Sequence, residues 1–158
     1  MKLNSRIAAA AFVAVFLTVG FAPSARATVP ACPAGVTNPA TQLVGTWSYN
    51  LNGFVSTRES SFAPYASAGQ FIAKLETVNG VANTPTLAIT QSTTDGARQE
   101  TATGIFTVFP DCSGGTLTFF TSSRGLQFDF WFAENFTELR LVSTTPGTFF
   151  SGSASRAF

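Results

Sequence analysis

The chain has 158 residues, enough for one domain with a substantial core, and carries 9 Lys and Arg against 8 Asp and Glu, a net charge of +1. It contains no histidine and only two cysteines, which excludes zinc sites of the usual His/Cys kind and any histidine-based catalytic triad. Its basic residues form neither a patch nor a run, which argues against nucleic acid and against polybasic lipid binding.

Residues 1–27 read as a secretory signal peptide. Lys2 and Arg6 supply the positive start, an apolar run follows from Ile7 to Val19, and Ala25-Arg26-Ala27 predicts cleavage after Ala27. That run is shorter than the ~20 residues of a membrane span. Cleavage removes Lys2, Arg6 and Arg26 and leaves six basic residues facing eight acids, a net charge of −2. The expected localisation is secreted or periplasmic, and the signal has a bacterial character. In an oxidising compartment Cys32 and Cys112 are expected to form one disulfide.

Residues 28–42 are rich in Pro, Ala and Thr without periodicity and read as an extended lead-in; residues 43–158 form a single β domain. Strand 1 is predicted over 44–54, where Trp47, Tyr49 and Leu51 alternate with Ser48, Asn50 and Asn52. Residues 55–66, with the charged pair Arg58-Glu59 and with Pro64, read as the longest loop and would place Phe62 and Tyr65 at a mouth. Strand 2 (67–76), a turn at Asn79-Gly80 and strand 3 (85–94) follow. Asp95-Gly96 is a two-residue hairpin signal that sets Gln91 opposite Glu100 and Ile89 opposite Ala102 in strand 4 (98–109).

Strands 5 (116–122) and 6 (125–133) are expected to turn at Ser123-Arg124, with Leu117, Phe119 and Thr121 opposite Phe130, Phe128 and Leu126. Strand 7 (138–145) then sets Leu139 opposite Phe132, and Arg140 opposite Trp131 on the outside. Pro146-Gly147 fits a type II turn into strand 8 (148–157), which pairs Leu141 with Gly152. No mature segment has a helical apolar period. The predicted fold is all-β, an antiparallel up-and-down β-barrel of about eight strands, with a two-sheet sandwich as the alternative. Loops of such a barrel alternate ends, so Cys32 before strand 1 and Cys112 between strands 4 and 5 fall at one end.

Gly45-Thr46-Trp47 at the start of strand 1 resembles the G-x-W of the lipocalins, members of the calycin group of eight-stranded barrels. The resemblance implies that Trp47 closes the barrel base against a basic side chain near the end of the last strand, here Arg156. It departs from that family in lacking a helix after strand 8 and the second and third lipocalin motifs. Val44-Gly45-Thr46-Trp47, the run from Pro110 to Gly114 and Pro146-Gly147-Thr148 also resemble small bacterial secreted proteins akin to the allene oxide cyclase barrel.

These resemblances imply a secreted barrel that binds a small apolar ligand in its interior. The expected lining is Tyr49, Phe62, Tyr65, Phe71, Gln91, Glu100, Thr121 and Phe128, with Gln91 and Glu100 as polar anchors near one mouth. No catalytic residue, cofactor or metal site is assigned, and the expected partner is a small hydrophobic molecule. Asp129 and Glu138 fall on the outer face by register, and Asn135-Phe136-Thr137 matches a glycosylation sequon to which no role is given. The alternatives are a cyclase- or isomerase-like enzyme using Glu100, a small outer-membrane barrel, and a structural or interaction module. An interior cavity of several hundred Å³ separates ligand binding from a filled structural barrel.

Overall fold

The computed structural model describes residues 31–57, 61–93, 99–120 and 125–158, with the backbone alone at 91, 93, 99, 100 and 134. The signal-peptide segment, Arg58-Glu59, the Asp95-Gly96 turn and Thr121 lie outside the described residues. Eight antiparallel strands form one closed barrel in chain order: β1 (Gly45–Ser56), β2 (Phe62–Val78), β3 (Val81–Thr93), β4 (Gln99–Val108), β5 (Gly114–Phe120), β6 (Gly125–Phe132), β7 (Glu138–Ser143) and β8 (Thr148–Arg156). The up-and-down barrel expected from the alternation is therefore the fold, and the sandwich alternative is excluded.

Alternation decides which side of the wall each residue takes. In β1, Trp47, Tyr49 and Leu51 are buried while Ser48, Asn50 and Asn52 are exposed. The interior is filled by aromatic and branched apolar side chains from every strand, among them Phe71, Ile89, Phe106, Phe119, Phe130 and Leu141. Several registers follow the turn chemistry: Gln91 pairs with Glu100, Trp131 with Arg140 and Leu141 with Gly152. Asn79 and Gly80, both at positive φ, close the β2–β3 hairpin between Val78 and Val81.

Three expectations are corrected. Residues 55–66 are largely strand: the β1–β2 pairing continues through Val55↔Ala63 to Ser56↔Phe62. Pro64 is tolerated because it lies beyond the last β2–β3 pair, Ser67↔Thr93, where no second strand among the described residues awaits an N–H. The lead-in contains a 3-10 turn, Pro39–Gln42, capped by the Asn38 side chain on the Ala40 N–H. The β5–β6 register is displaced by two, with Leu117 opposite Phe128 and Phe119 opposite Leu126; the turn expected at Ser123-Arg124 lies outside the described residues. A slip of two leaves every side chain on its own face, and packing decides between the registers. The observed one sets Gly115 opposite Phe130, whose ring occupies the space a side chain there would need.

Closure joins β1 to β8 from Trp47↔Arg156 to Val55↔Thr148. At this seam Gly53 has Tyr65 on one neighbour and Phe150 on the other. Those two rings stack across it at 4.5 Å between centroids. A Cβ on Gly53 would meet the Phe149 carbonyl oxygen at 1.9 Å, so the close strand approach requires glycine there.

The base is sealed by the lead-in. Leu43 is fully buried, and its carbonyl accepts the Trp47 indole N–H at 2.8 Å. The Arg156 guanidinium lies 4.9 Å from the centre of the Trp47 ring and donates through Nη2 to the Gln42 carbonyl. Its Nε is buried with no partner among the described residues, so the ring face and that carbonyl take up the charge. Arg156→Ala should therefore lower stability by about 2 kcal/mol, through lost packing and hydrogen bonding together. Arg140→Ala, which breaks only an exposed pair with Glu138, should change it by less than about 0.5 kcal/mol. Parallel urea titrations of the two variants would show equal midpoints if the Arg156 packing contributed nothing.

Cys32 and Cys112 form a disulfide with a Cα–Cα distance of 4.9 Å, at the same end as Trp47 and Arg156. Cys112 sits in the β4–β5 connection at φ 57. Asp111 shapes this connection by accepting the Ser113 N–H at 3.0 Å and the Ser113 hydroxyl at 2.7 Å, which holds its carboxyl below the usual range.

Candidate functional site

The barrel interior away from the base contains the candidate site. Going up β1 from Trp47, the interior positions are Tyr49 and Leu51, flanked by small residues on the neighbours, and then Gly53, flanked by the large Tyr65 and Phe150. Tyr49 lies between Gly69 and Ala154, and Leu51 between Ser67 and Gly152. Alternating large and small residues in this way lets rings from opposite walls interdigitate. Phe71 packs against Trp47, Tyr49 and Phe119 with centroid separations of 6.1, 6.3 and 6.2 Å, and Phe119 against Phe128 at 6.3 Å.

What remains between these rings is a void of about 20 Å³, bounded by Tyr49, Tyr65, Phe71, Phe128 and Phe150 among other apolar side chains. That is room for about one water molecule and far below the several hundred Å³ of a preformed small-molecule pocket. The interior is thus nearly filled. Its polar groups here are hydroxyls: the Tyr49 and Ser67 hydroxyl oxygens are 3.3 Å apart, and Tyr65 is close enough to influence Tyr49 electrostatically.

Burial pushes the Tyr49 phenol up to about 12; the Ser67 hydrogen bond opposes that shift and the Tyr65 phenol adds to it. An unfolded tyrosine loses its proton near pH 10. Between pH 10 and 12 the unfolded chain has therefore released a proton that the folded chain still holds, and stability falls as pH rises. Stability from Tyr49 should be complete below pH 10 and decline by about 1.4 kcal/mol per pH unit above it. Tyr49→Phe should flatten this slope in urea titrations run at successive alkaline pH values. An unchanged slope would mean that Tyr49 ionises as freely folded as unfolded.

The other expected lining residues are placed as follows. Tyr65 is buried in β2, stacked on Phe150, and not in a loop. Phe62 is corrected: it alternates with the inward Ala63 and Tyr65, so it faces outward, 60% exposed, with its ring edge-on to Phe149 at 5.4 Å. The Gln91 and Glu100 backbones pair on β3 and β4, but their side chains, like Thr121, lie outside the described residues. The Ser67 hydroxyl beside Tyr49 was missed by sequence reading. Its signal was available, since Ser67 shares the parity of Phe71 two steps earlier in the alternation of β2. Among the described residues no three His, Cys, Asp or Glu side chains gather as a metal site.

No protein-family model matches the chain, and neither does any curated protein. Solved structures similar to it include a redesigned β-barrel, mFAP0, bound to DFHBI, with 18% identity and a TM-score of 0.51 over 73% of this chain and 99% of that one. A de novo designed fluorescence-activating β-barrel is similar at 12% identity and a TM-score of 0.54, over 77% of this chain and all of the other. At these identities the likeness is one of fold.

Proposed function

We propose that this barrel is a secreted or periplasmic binding protein for a small apolar molecule. The molecule is taken up at the Tyr49–Tyr65 level of the interior. The observation that carries the reading is a residual void lined by aromatic rings, with phenol and serine hydroxyls as its polar groups. The disulfide suits an oxidising compartment. A barrel of similar fold is bound to DFHBI, which gives this architecture a precedent as a small-molecule binder. Since the void holds only about 20 Å³, uptake requires the Tyr65–Phe150 pair or its neighbours to change rotamer. The lipocalin likeness supports the same reading at the level of architecture.

The filled interior favours a second reading, a structural or interaction module. An outer-membrane barrel is disfavoured, because Ser48, Asn50 and Asn52 of β1 would have to face hydrocarbon while the aromatic rings are packed inside. The cyclase-like alternative rests on Glu100, which the described side chains do not include.

Titration with DFHBI and with benzene, followed by amide chemical shifts, tests the primary reading on wild type and on the cavity-enlarging Phe128→Ala. Saturable shifts confined to interior residues, weakened about fivefold by Tyr49→Phe for a hydroxyl-bearing probe, are expected. Absence of binding in both wild type and Phe128→Ala would leave the structural module.

A further inference from the structure

The chain contains two Asn-Gly pairs, Asn52-Gly53 and Asn79-Gly80. The backbone nitrogen that follows an asparagine can attack the side-chain amide carbon, and glycine, having no Cβ, shields that nitrogen least. Attack requires the intervening peptide to rotate toward the asparagine side chain. The sequence makes the two pairs equivalent in this respect; the fold does not. Gly53 lies at the β1–β8 seam with a strand on either side, opposite Tyr65 on β2 and Phe150 on β8. The Phe149 carbonyl oxygen stands 1.9 Å from where a Cβ on Gly53 would be, so the peptide there cannot turn without breaking the seam. Asn79 and Gly80 instead form the β2–β3 turn, at φ 51 and 81. A Cβ on Gly80 would meet nothing within 4 Å. A bulge between Glu76 and Val78 interrupts the ladder below the turn and leaves the single pair Val78↔Val81 beyond it. Every residue from 76 to 83 is exposed. A tip held by one pair, with no side chain buried, opens at little cost while the body of the hairpin stays formed.

We propose that Asn79 is a site of spontaneous, time-dependent modification by deamidation, and that the seam protects Asn52 from the same reaction. The Gly80 nitrogen bonds to Asn79 Cγ. The Cγ–Nδ2 bond breaks, and ammonia leaves with the proton that the Gly80 nitrogen gives up. Water then opens the resulting cyclic imide. Addition of water at Cγ yields aspartate, and addition at the main-chain carbonyl yields isoaspartate. The net exchange is ammonia for water, and nothing is oxidised or reduced. Either product places a new carboxylate at the tip, on the same hairpin end as Glu76. Isoaspartate also inserts one backbone atom into the two-residue connection between Val78 and Val81, whose paired left-handed residues suit only the original length. Aged protein therefore carries a more acidic and re-registered β2–β3 tip, while the wall below the bulge keeps its pairing. The site lies at the end of a hairpin and does not depend on the interior binding proposed above.

The full chain should be held folded at mildly alkaline pH, sampled over time and mapped by peptide mass spectrometry, with fragmentation that separates aspartate from isoaspartate. A parallel sample unfolded in urea gives the rate each Asn-Gly pair has without the fold. The readout is the ratio of folded to unfolded rate, taken at each site separately, so that differences in neighbouring residues cancel. That ratio should be at least about tenfold larger at Asn79 than at Asn52, because the tip opens locally and the seam opens only with the barrel. Isoaspartate should appear at position 79 in the folded sample. Equal ratios at the two sites overturn the proposal, since the fold would then not distinguish them. It is equally overturned if Asn79 stays intact in the folded chain while the urea sample converts, or if Asn52 converts first.

Discussion

Reducing or removing the Cys32–Cys112 bridge is expected to lower stability by ~4 kcal/mol. The two cysteines are 80 residues apart, so the bridge closes a long loop in the unfolded chain, and loop-closure entropy grows with that length. The native side adds to it. The bridge ties residue 32, ahead of the Pro39–Gln42 turn, to a fully buried Cys112, and the same lead-in brings Leu43 and the Gln42 carbonyl under Trp47 and Arg156. Cys32→Ser with Cys112→Ser should therefore shift the urea midpoint downward and raise the m-value, because the unbridged chain exposes more surface on unfolding. Wild type in reductant should match the double variant. Equal midpoints with and without reductant would mean that the lead-in contributes nothing to closing the base.

Phe130→Ala is expected to cost about 3–5 kcal/mol. The ring is fully buried, lies edge-on to Phe132 at 5.3 Å, and covers Gly115 on the paired strand. A Cβ at Gly115 would come within 2.9 Å of the Phe130 ring and within 1.9 Å of the Thr107 carbonyl oxygen, so the backbone there is already as close as it can be. Neighbours hydrogen-bonded into a closed sheet cannot collapse into the space the ring vacates, which keeps the cavity penalty near its upper range. Guanidinium titration should show the loss as a lower midpoint at unchanged slope. A cost below about 1.5 kcal/mol would mean that the wall yields and that the β5–β6 pairing is less constrained than Gly115 implies.

The face of each strand was legible from sequence because parity survives errors in strand length and in turn type. Phe128 and Phe130 are interior under either β5–β6 register, and Trp131 opposite Arg140 is exterior. Pairings fixed by short turns were also legible, as Gln91 with Glu100 and Leu141 with Gly152. The β5–β6 offset was not, because choosing between registers two residues apart depends on the fit of the Phe130 ring over Gly115, which no alternation records. Phe62 was misplaced for a related reason: Pro64 and the charged Arg58-Glu59 read as loop, and that concealed the alternation which turns Phe62 outward. For the candidate site, the aromatic lining was foreseeable but its tightness was not. Ring packing in three dimensions reduces an interior wide enough for a ligand to a void of about 20 Å³.

The β1–β8 seam also sets how the chain can reach this state. Every other pairing joins strands that follow one another, whereas the seam joins the first to the last, and Arg156 donates to a carbonyl 114 residues before it. Such a non-local closure is slow, since hairpins zip up locally before two distant ends meet. Until then the molecule is an open sheet with two bare edges, and β1 and β8 present Phe54 and Phe149 outward beside unpaired backbone. A chain held with that seam open would expose two unpaired strand edges, the feature that invites self-association in β proteins. Trp47, buried under Arg156 only once the seam has formed, is an intrinsic clock for that last step.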